Sequence, residues 1–120
     1  MRKNEWDNLP IIDWELGHRL AGNQKDLAKD MLGMLIDNLP QNISVIHQLH
    51  IEHNYTGLKQ QIHKLHGAVV YCGTPRLKSI LAQLNTFLKN CIQHEIDYLI
   101  EQLKTEVKTL LNEWKINHNN

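Results

Sequence analysis

Apolar residues recur three and four positions apart along almost the whole chain, and no run alternates strictly or gathers β-branched residues. That pattern marks amphipathic helices rather than strands. After a polar start, Pro10-Ile11-Ile12-Asp13-Trp14 leads into a short helix limited by Gly17 and Gly22. Asn23 is placed to cap a second helix over 24–38, with Leu27, Met31, Met34, Leu35 and Asn38 spaced along one face. Proline breaks a helix interior but fits a first turn. Pro40 should therefore stop that helix and open a third, with Ile43, Ile46 and Leu49 or His50 inward. Asn54-Tyr55-Thr56-Gly57 marks the next break.

The fourth helix has the clearest pattern, with Leu58, Ile62, Leu65, Val69 and Cys72 on a single stripe. Gly73 suits the residue after a helix end, and Thr74-Pro75 reads as the N-cap and first residue of a fifth helix. That helix turns Leu77, Ile80, Leu81, Leu84, Leu88 and Cys91 inward. A break near Gln93-His94 precedes a long last helix with Ile96, Leu99, Leu103, Val107, Leu110 and Trp114 inward, and the tail over 117–120 reads as frayed. Amphipathic helices joined by short turns must bury their stripes against one another. The expected fold is all-α, an antiparallel four-helix bundle with a short N-terminal capping helix and a long C-terminal helix. One domain over 1–120, with its core at about 10–116, accounts for the whole chain.

Composition removes several function classes. Apolar residues make up 42% of the 120 positions and charged residues 22%, the balance of a globular domain. No stretch approaches the roughly 18 apolar residues of a spanning helix, and no apolar region follows Arg2-Lys3 as in a secretory signal. A cytoplasmic location is expected. Thirteen basic side chains balance thirteen acidic ones, so the excess of cations that binds a phosphate backbone is missing and nucleic acid is not an expected partner. Cys72 and Cys91 read as reduced, buried small hydrophobes. No P-loop, kinase glycine motif or carboxylate cluster for magnesium occurs.

Beside the core stripe of the fourth helix run Thr56, Lys59, Gln60, His63, His66, Gly67 and Val70. One helical turn separates His63 from Gly67, so the glycine lies next to the imidazole. Glycine inside a helix costs about 0.8–1 kcal/mol relative to alanine, and two explanations stand: room for an approaching partner, or close packing of a neighbouring helix. The string His63-Lys64-Leu65-His66-Gly67-Ala68-Val69-Val70-Tyr71-Cys72-Gly73-Thr74-Pro75-Arg76-Leu77 resembles the histidine phosphotransfer (HPt) signature. It is most similar to the C-terminal HPt domain of hybrid sensor histidine kinases of the BarA/GacS/LetS type. Ile12-Asp13-Trp14 and Asp26-Leu27-Ala28-Lys29-Asp30-Met31-Leu32 through Leu39-Pro40 share the likeness, which runs from about 10 to about 115.

The resemblance implies a carrier in a two-component phosphorelay. His63 would be the phosphoacceptor, taking a phosphoryl group from an Asp of one receiver domain and passing it to an Asp of another. An imidazole with an ordinary pKa of about 6.5 is largely neutral and nucleophilic at pH 7. Such transfer needs an in-line approach and charge on the equatorial oxygens held in place. The expected phosphate environment is His66, Gly67, Lys59 and Lys64 on the same helix with Asn85 and Lys89 on the next. His66 stands where the family usually has Lys or Arg, and its help should fall as pH rises above neutral. Asn85 stands where many HPt domains have a Gln that hydrogen-bonds the histidine, with a shorter side chain. Lys89 is the stronger candidate for a phosphate or receiver contact.

Gln60, Val70, Ile11 and Ile12 make the expected partner surface. No cofactor of its own is expected, Mg²⁺ and the catalytic Asp being the receiver's, and no ATP-dependent kinase activity. The implied partners are response-regulator receiver domains, in cis or in trans, met by a monomer without membrane contact. If the chain belongs to a hybrid kinase, the parent would sit in the inner membrane. An HPt-like docking adaptor that is never phosphorylated would share this fold and face. His47, His50 and His53 read as solvated surface histidines, since no ligand pattern accompanies them. Trp6, Trp14 and Trp114 read as end-packing residues, and Ser44 and Ser79 lack a base.

Overall fold

The computed structural model describes residues 3–118, the side chain of His118 excepted. A 3-10 turn over Glu5–Asn8 precedes five helices: α1 (Trp14–Leu20), α2 (Lys25–Ile51), α3 (Tyr55–Val69), α4 (Pro75–Lys89) and α5 (Gln93–His118). Each of α2 to α5 packs on its chain neighbours, and α2 closes on α5, so the four form the expected bundle. Among the described residues there is no strand, and no helix is long and apolar enough to cross a membrane. Of the tail expected to fray, Asn119 and Asn120 lie outside the described residues, whereas Asn117 and His118 continue α5.

The core stripes of α3, α4 and α5 lie where the spacing puts them. Leu58, Ile62, Leu77, Ile80, Leu81, Leu84, Leu99, Leu103 and Leu110 are wholly or almost wholly buried. Asn54 caps α3, its side chain accepting from the Gly57 amide at 2.9 Å, and Asp13 caps α1 through the Leu16 amide at 2.9 Å.

α2 departs from expectation. Pro40 lies inside one continuous helix of 27 residues instead of dividing two. An interior proline costs about 3 kcal/mol, but Leu39 and Ile46 on either side of it are buried. Each such side chain contributes about 1.5–3 kcal/mol, and Pro40 itself faces solvent, where a freed carbonyl can bond water. Of the inner face expected for this helix, Leu35 is buried and Met31 packs against the core, but the rest is one residue out of step. Ala28, Leu32, Leu35, Ile36 and Leu39 are buried, whereas Leu27 and Met34 are exposed, as is Asn38. Asn23 is not the cap either. It and Gly22 both have φ +65° in the turn after α1, and Gln24 precedes α2 without a side-chain cap bond.

Cys72 is buried, and its thiol, pushed up by burial, donates to the Ala68 carbonyl at 3.3 Å. Cys91 is exposed, contrary to the inward reading. α4 ends at Lys89, so the helical spacing no longer applies two residues later, and Cys91 turns left-handed with φ 56°.

Two polar features hold the helices at fixed azimuths. Arg76 Nη2 donates to Glu106 Oε1 at 3.0 Å, and Glu106 is only 2% exposed. Burial pushes the Glu106 carboxyl up, Arg76 pulls it partly back, and Asp7 adds to the push. Removing one partner of a buried pair strands the other charge. Arg76→Met is therefore expected to lower stability by about 3 kcal/mol, read from the urea midpoint at constant slope. Arg76→Met with Glu106→Leu should recover most of the loss, and a double variant as unstable as the single one would contradict this account. On the other seam, His50 Nε2 donates to Asp97 Oδ1 at 2.7 Å, and Lys104 Nζ donates to His47 Nδ1 at 2.7 Å. Those two histidines are links between α2 and α5, more than the solvated groups the sequence suggested.

Trp6 fills the core at 3% exposure, and Trp14 stacks on Trp114 with centroids 6.4 Å apart. End-packing describes the latter pair, and Trp6 goes further, into the core itself.

Candidate functional site

α3 is the middle of three helices. Its Gln61, Lys64, Leu65 and Ala68 line a groove against α2, with Met31 and Met34 opposite. That orientation leaves Lys59, His63 and His66 toward α4 and solvent. On α4, the Arg76–Glu106 pair puts α5 on one flank. The stripe Lys78, Ala82, Asn85 and Lys89 is therefore on the other flank, beside α3.

His63 is exposed at mid-helix, and no hydrogen bond engages its ring. One turn on, a Cβ added at Gly67 would meet nothing within 4 Å. Of the two explanations for this glycine, close packing by a neighbouring helix is thereby removed, and open approach remains. Gly67→Ala should therefore raise helix stability by about 0.8–1 kcal/mol, measured by thermal melting. The bulkier Gly67→Leu should fold equally well yet slow transfer to or from a receiver, and unchanged transfer rates would refute the clearance role.

His66 is half-buried, with its Nε2 buried and unpartnered. Burial lowers its pKa first, then the nearby Lys78 ammonium and the His63 ring lower it further. Its protonated form therefore belongs to pH below the ordinary histidine range. Any electrostatic help from His66 therefore falls away at lower pH than the sequence suggested. Lys78, absent from the expected site, lies across from His66. Its signal was the second polar stripe on α4.

Helix side chains lean toward their own N-terminus. α4 runs antiparallel to α3, with Lys78 near His66, so three to four residues along α4 correspond to the level of His63. Asn85 and Lys89, farther along, lean back toward that level. No hydrogen bond joins Asn85 to His63 in this structure. Lys59 is exposed and leans away from His63, and Lys64 sits at the α2 groove, on the flank away from α4.

On the partner side, Gln60 is exposed and Val70 half-buried at the end of α3. Ile11 and Ile12 pack half-buried against the core. The Asp13 amide donates to the Gly73 carbonyl at 2.8 Å, which places these isoleucines by the α3–α4 turn. Tyr71, 57% exposed on that turn, is an apolar candidate the sequence reading passed over. Among the described residues no group of three or more His, Cys, Asp or Glu side chains is placed to hold a metal ion.

An antiparallel bundle that displays one unengaged histidine beside a bare glycine is the build of a histidine phosphotransfer module. The family model of the Hpt domain matches residues 30–113, and the chain belongs to that family, whose members carry phosphoryl groups in two-component phosphorelays. It is 35% identical over 106 residues to the sensor protein GacS of Pseudomonas syringae pv. syringae, covering 83% of this chain and 12% of that protein. It is 36% identical over 102 residues to the signal transduction histidine-protein kinase BarA of Escherichia coli K12, covering 85% and 10%. The chain thus spans about a tenth of the length of these curated relatives. The crystal structure of the HPT domain of a sensor hybrid histidine kinase from Shewanella superposes with a TM-score of 0.73 at 26% identity, covering 92% of this chain and 97% of that one. HPt domains of hybrid kinases act with receiver domains.

Proposed function

We propose that His63 is the phosphoacceptor of this module. In the first exchange, the phosphorus–oxygen bond of a receiver's aspartyl phosphate breaks as an imidazole nitrogen of His63 bonds to phosphorus. The freed carboxylate stays with that receiver. The second exchange runs in reverse onto the Asp of another receiver and restores His63. Mg²⁺ and the acidic residues that bind it belong to the receivers, and this chain supplies the carrier atom, the clearance at Gly67 and the flanking charges. The observation that carries the reading is the exposed, unengaged His63 beside open space at Gly67.

The receiver would cover Gln60, His63, Gly67 and Val70, with Lys89 and Asn85 at the rim toward α4. The module works as a cytoplasmic monomer without membrane contact. Within a hybrid sensor kinase, its parent would lie in the inner membrane.

The test is incubation with a phosphorylated receiver domain and Mg²⁺, followed by intact mass and site mapping. One acid-labile phosphoryl group on His63 is the expected result. A label on His66 would move the site by a turn, and no uptake from any of several receivers would leave the docking adaptor as the better reading.

A further inference from the structure

A phosphoryl group on an imidazole brings close to two negative charges to the surface of α3. Side chains three and four residues C-terminal to it lean back over it, because every Cα–Cβ bond tilts toward the helix N-terminus. Those two positions are His66 and Gly67. Gly67 has no side chain to offer. His66 has turned its Nε2 into the seam with α4, where the atom is buried without a partner. A charge there would be opposed by Lys78 across the seam and by burial. Lys59 leans away, and Lys64 belongs to the α2 groove. The cations that can approach come from α4, Lys78 and Lys89, both exposed, while Arg76 is committed to Glu106.

We propose that His66 acts as a neutral neighbour that withholds counter-charge from the phosphoryl group on His63, so that onward transfer is favoured over storage. This rests on His63 being the acceptor. With no cation leaning over it from its own helix, the phosphorus–nitrogen bond stays easily exchanged. Attack by a receiver's carboxylate breaks that bond, forms the acyl phosphate and returns a neutral imidazole. His66 touches no reacting atom in this account. It sets the energy of the carrier state.

The experiment compares the parent with His66→Lys and His66→Gln. Each is phosphorylated by the same receiver and freed of it, then followed at one pH for the lifetime of the phosphohistidine and for its equilibrium division with a second receiver. His66→Lys is expected to lengthen the lifetime about fivefold and to shift the division toward the phosphorylated carrier by a similar factor, the size of one exposed charge pair. The lysine stem can lie in the seam and its ammonium reach water. His66→Arg repeats the test should the lysine variant melt early. The neutral His66→Gln should leave both readings where the parent has them. Loss of lifetime in His66→Gln would mean that His66 already supplies charge or a hydrogen bond, and no gain in folded His66→Lys or His66→Arg would equally overturn the proposal. A parent chain that takes up no phosphate at all would instead refute the acceptor role of His63.

Discussion

A His63→Gln variant is expected to keep the helical fold and melt with the parent while taking up no phosphoryl group from a receiver. The two halves have separate physical grounds. His63 is exposed and its ring makes no hydrogen bond, so its removal breaks no contact of the bundle. Surface changes of that kind shift stability by no more than about 0.5 kcal/mol. The carboxamide of glutamine, by contrast, has no lone pair comparable to that of a neutral imidazole nitrogen. The flanking groups do not replace a missing nucleophile. His66, almost one turn on, has its Nε2 buried and closed to attack. Residual uptake above background in His63→Gln, with the label mapped to any other residue, would defeat the assignment.

Gly73→Ala is expected to be the most damaging of the glycine-to-alanine substitutions. Its φ of +65° already disfavours a side chain, and an added Cβ would lie 2.7 Å from the Asp13 carbonyl oxygen, 2.8 Å from the Gly17 nitrogen and 2.9 Å from the Gly17 Cα. All three are backbone atoms, so no rotamer change relieves the clash. α1 would have to lift from the α3–α4 turn and give up the bond from the Asp13 amide to the Gly73 carbonyl. Left-handed strain and overpacking together suggest a loss of about 3–5 kcal/mol, measured by urea unfolding. Gly33 offers a control, because a Cβ there would sit 3.6 Å from the Trp114 ring, an ordinary contact. A Gly73→Ala protein that melts within about 2 °C of the parent would show that the turn accommodates what its geometry forbids.

The parts legible from the sequence were those where one stripe of apolar residues had no rival. Leu58, Ile62, Leu65 and Val69 on α3 could face only one way, and so could Leu77 to Leu88 on α4. α2 carries apolar residues at 27, 28, 31, 32, 34, 35 and 36, so two stripes compete. Only the partners, α1, α3 and α5, select between them. Pro40 misled for the same reason, since a local penalty was weighed without the tertiary burial on either side of it. At the site, the exposure of His63 and the place of Gly67 followed from the pattern of α3. The state of His66 did not, because it depends on depth in the seam and on Lys78 of another helix. Cys91 shows the remaining limit: periodicity extends only as far as the helix does.

Trp6 separates two meanings of a domain boundary. The match to the Hpt family model begins at residue 30. Trp6, 24 positions earlier, is nonetheless part of the core at 3% exposure, and beside it Asn4 Nδ2 donates to the Tyr98 hydroxyl at 2.7 Å. A fragment trimmed to the matched region would carry an open socket of the size of an indole, with about 200 Å² of apolar lining turned to water, and a bare Gly73 turn where α1 had rested. A family model keeps the positions its members share, whereas autonomy is decided by the surface a chain can cover. For this chain the second frontier lies upstream of the first, at a tryptophan that serves as a plug.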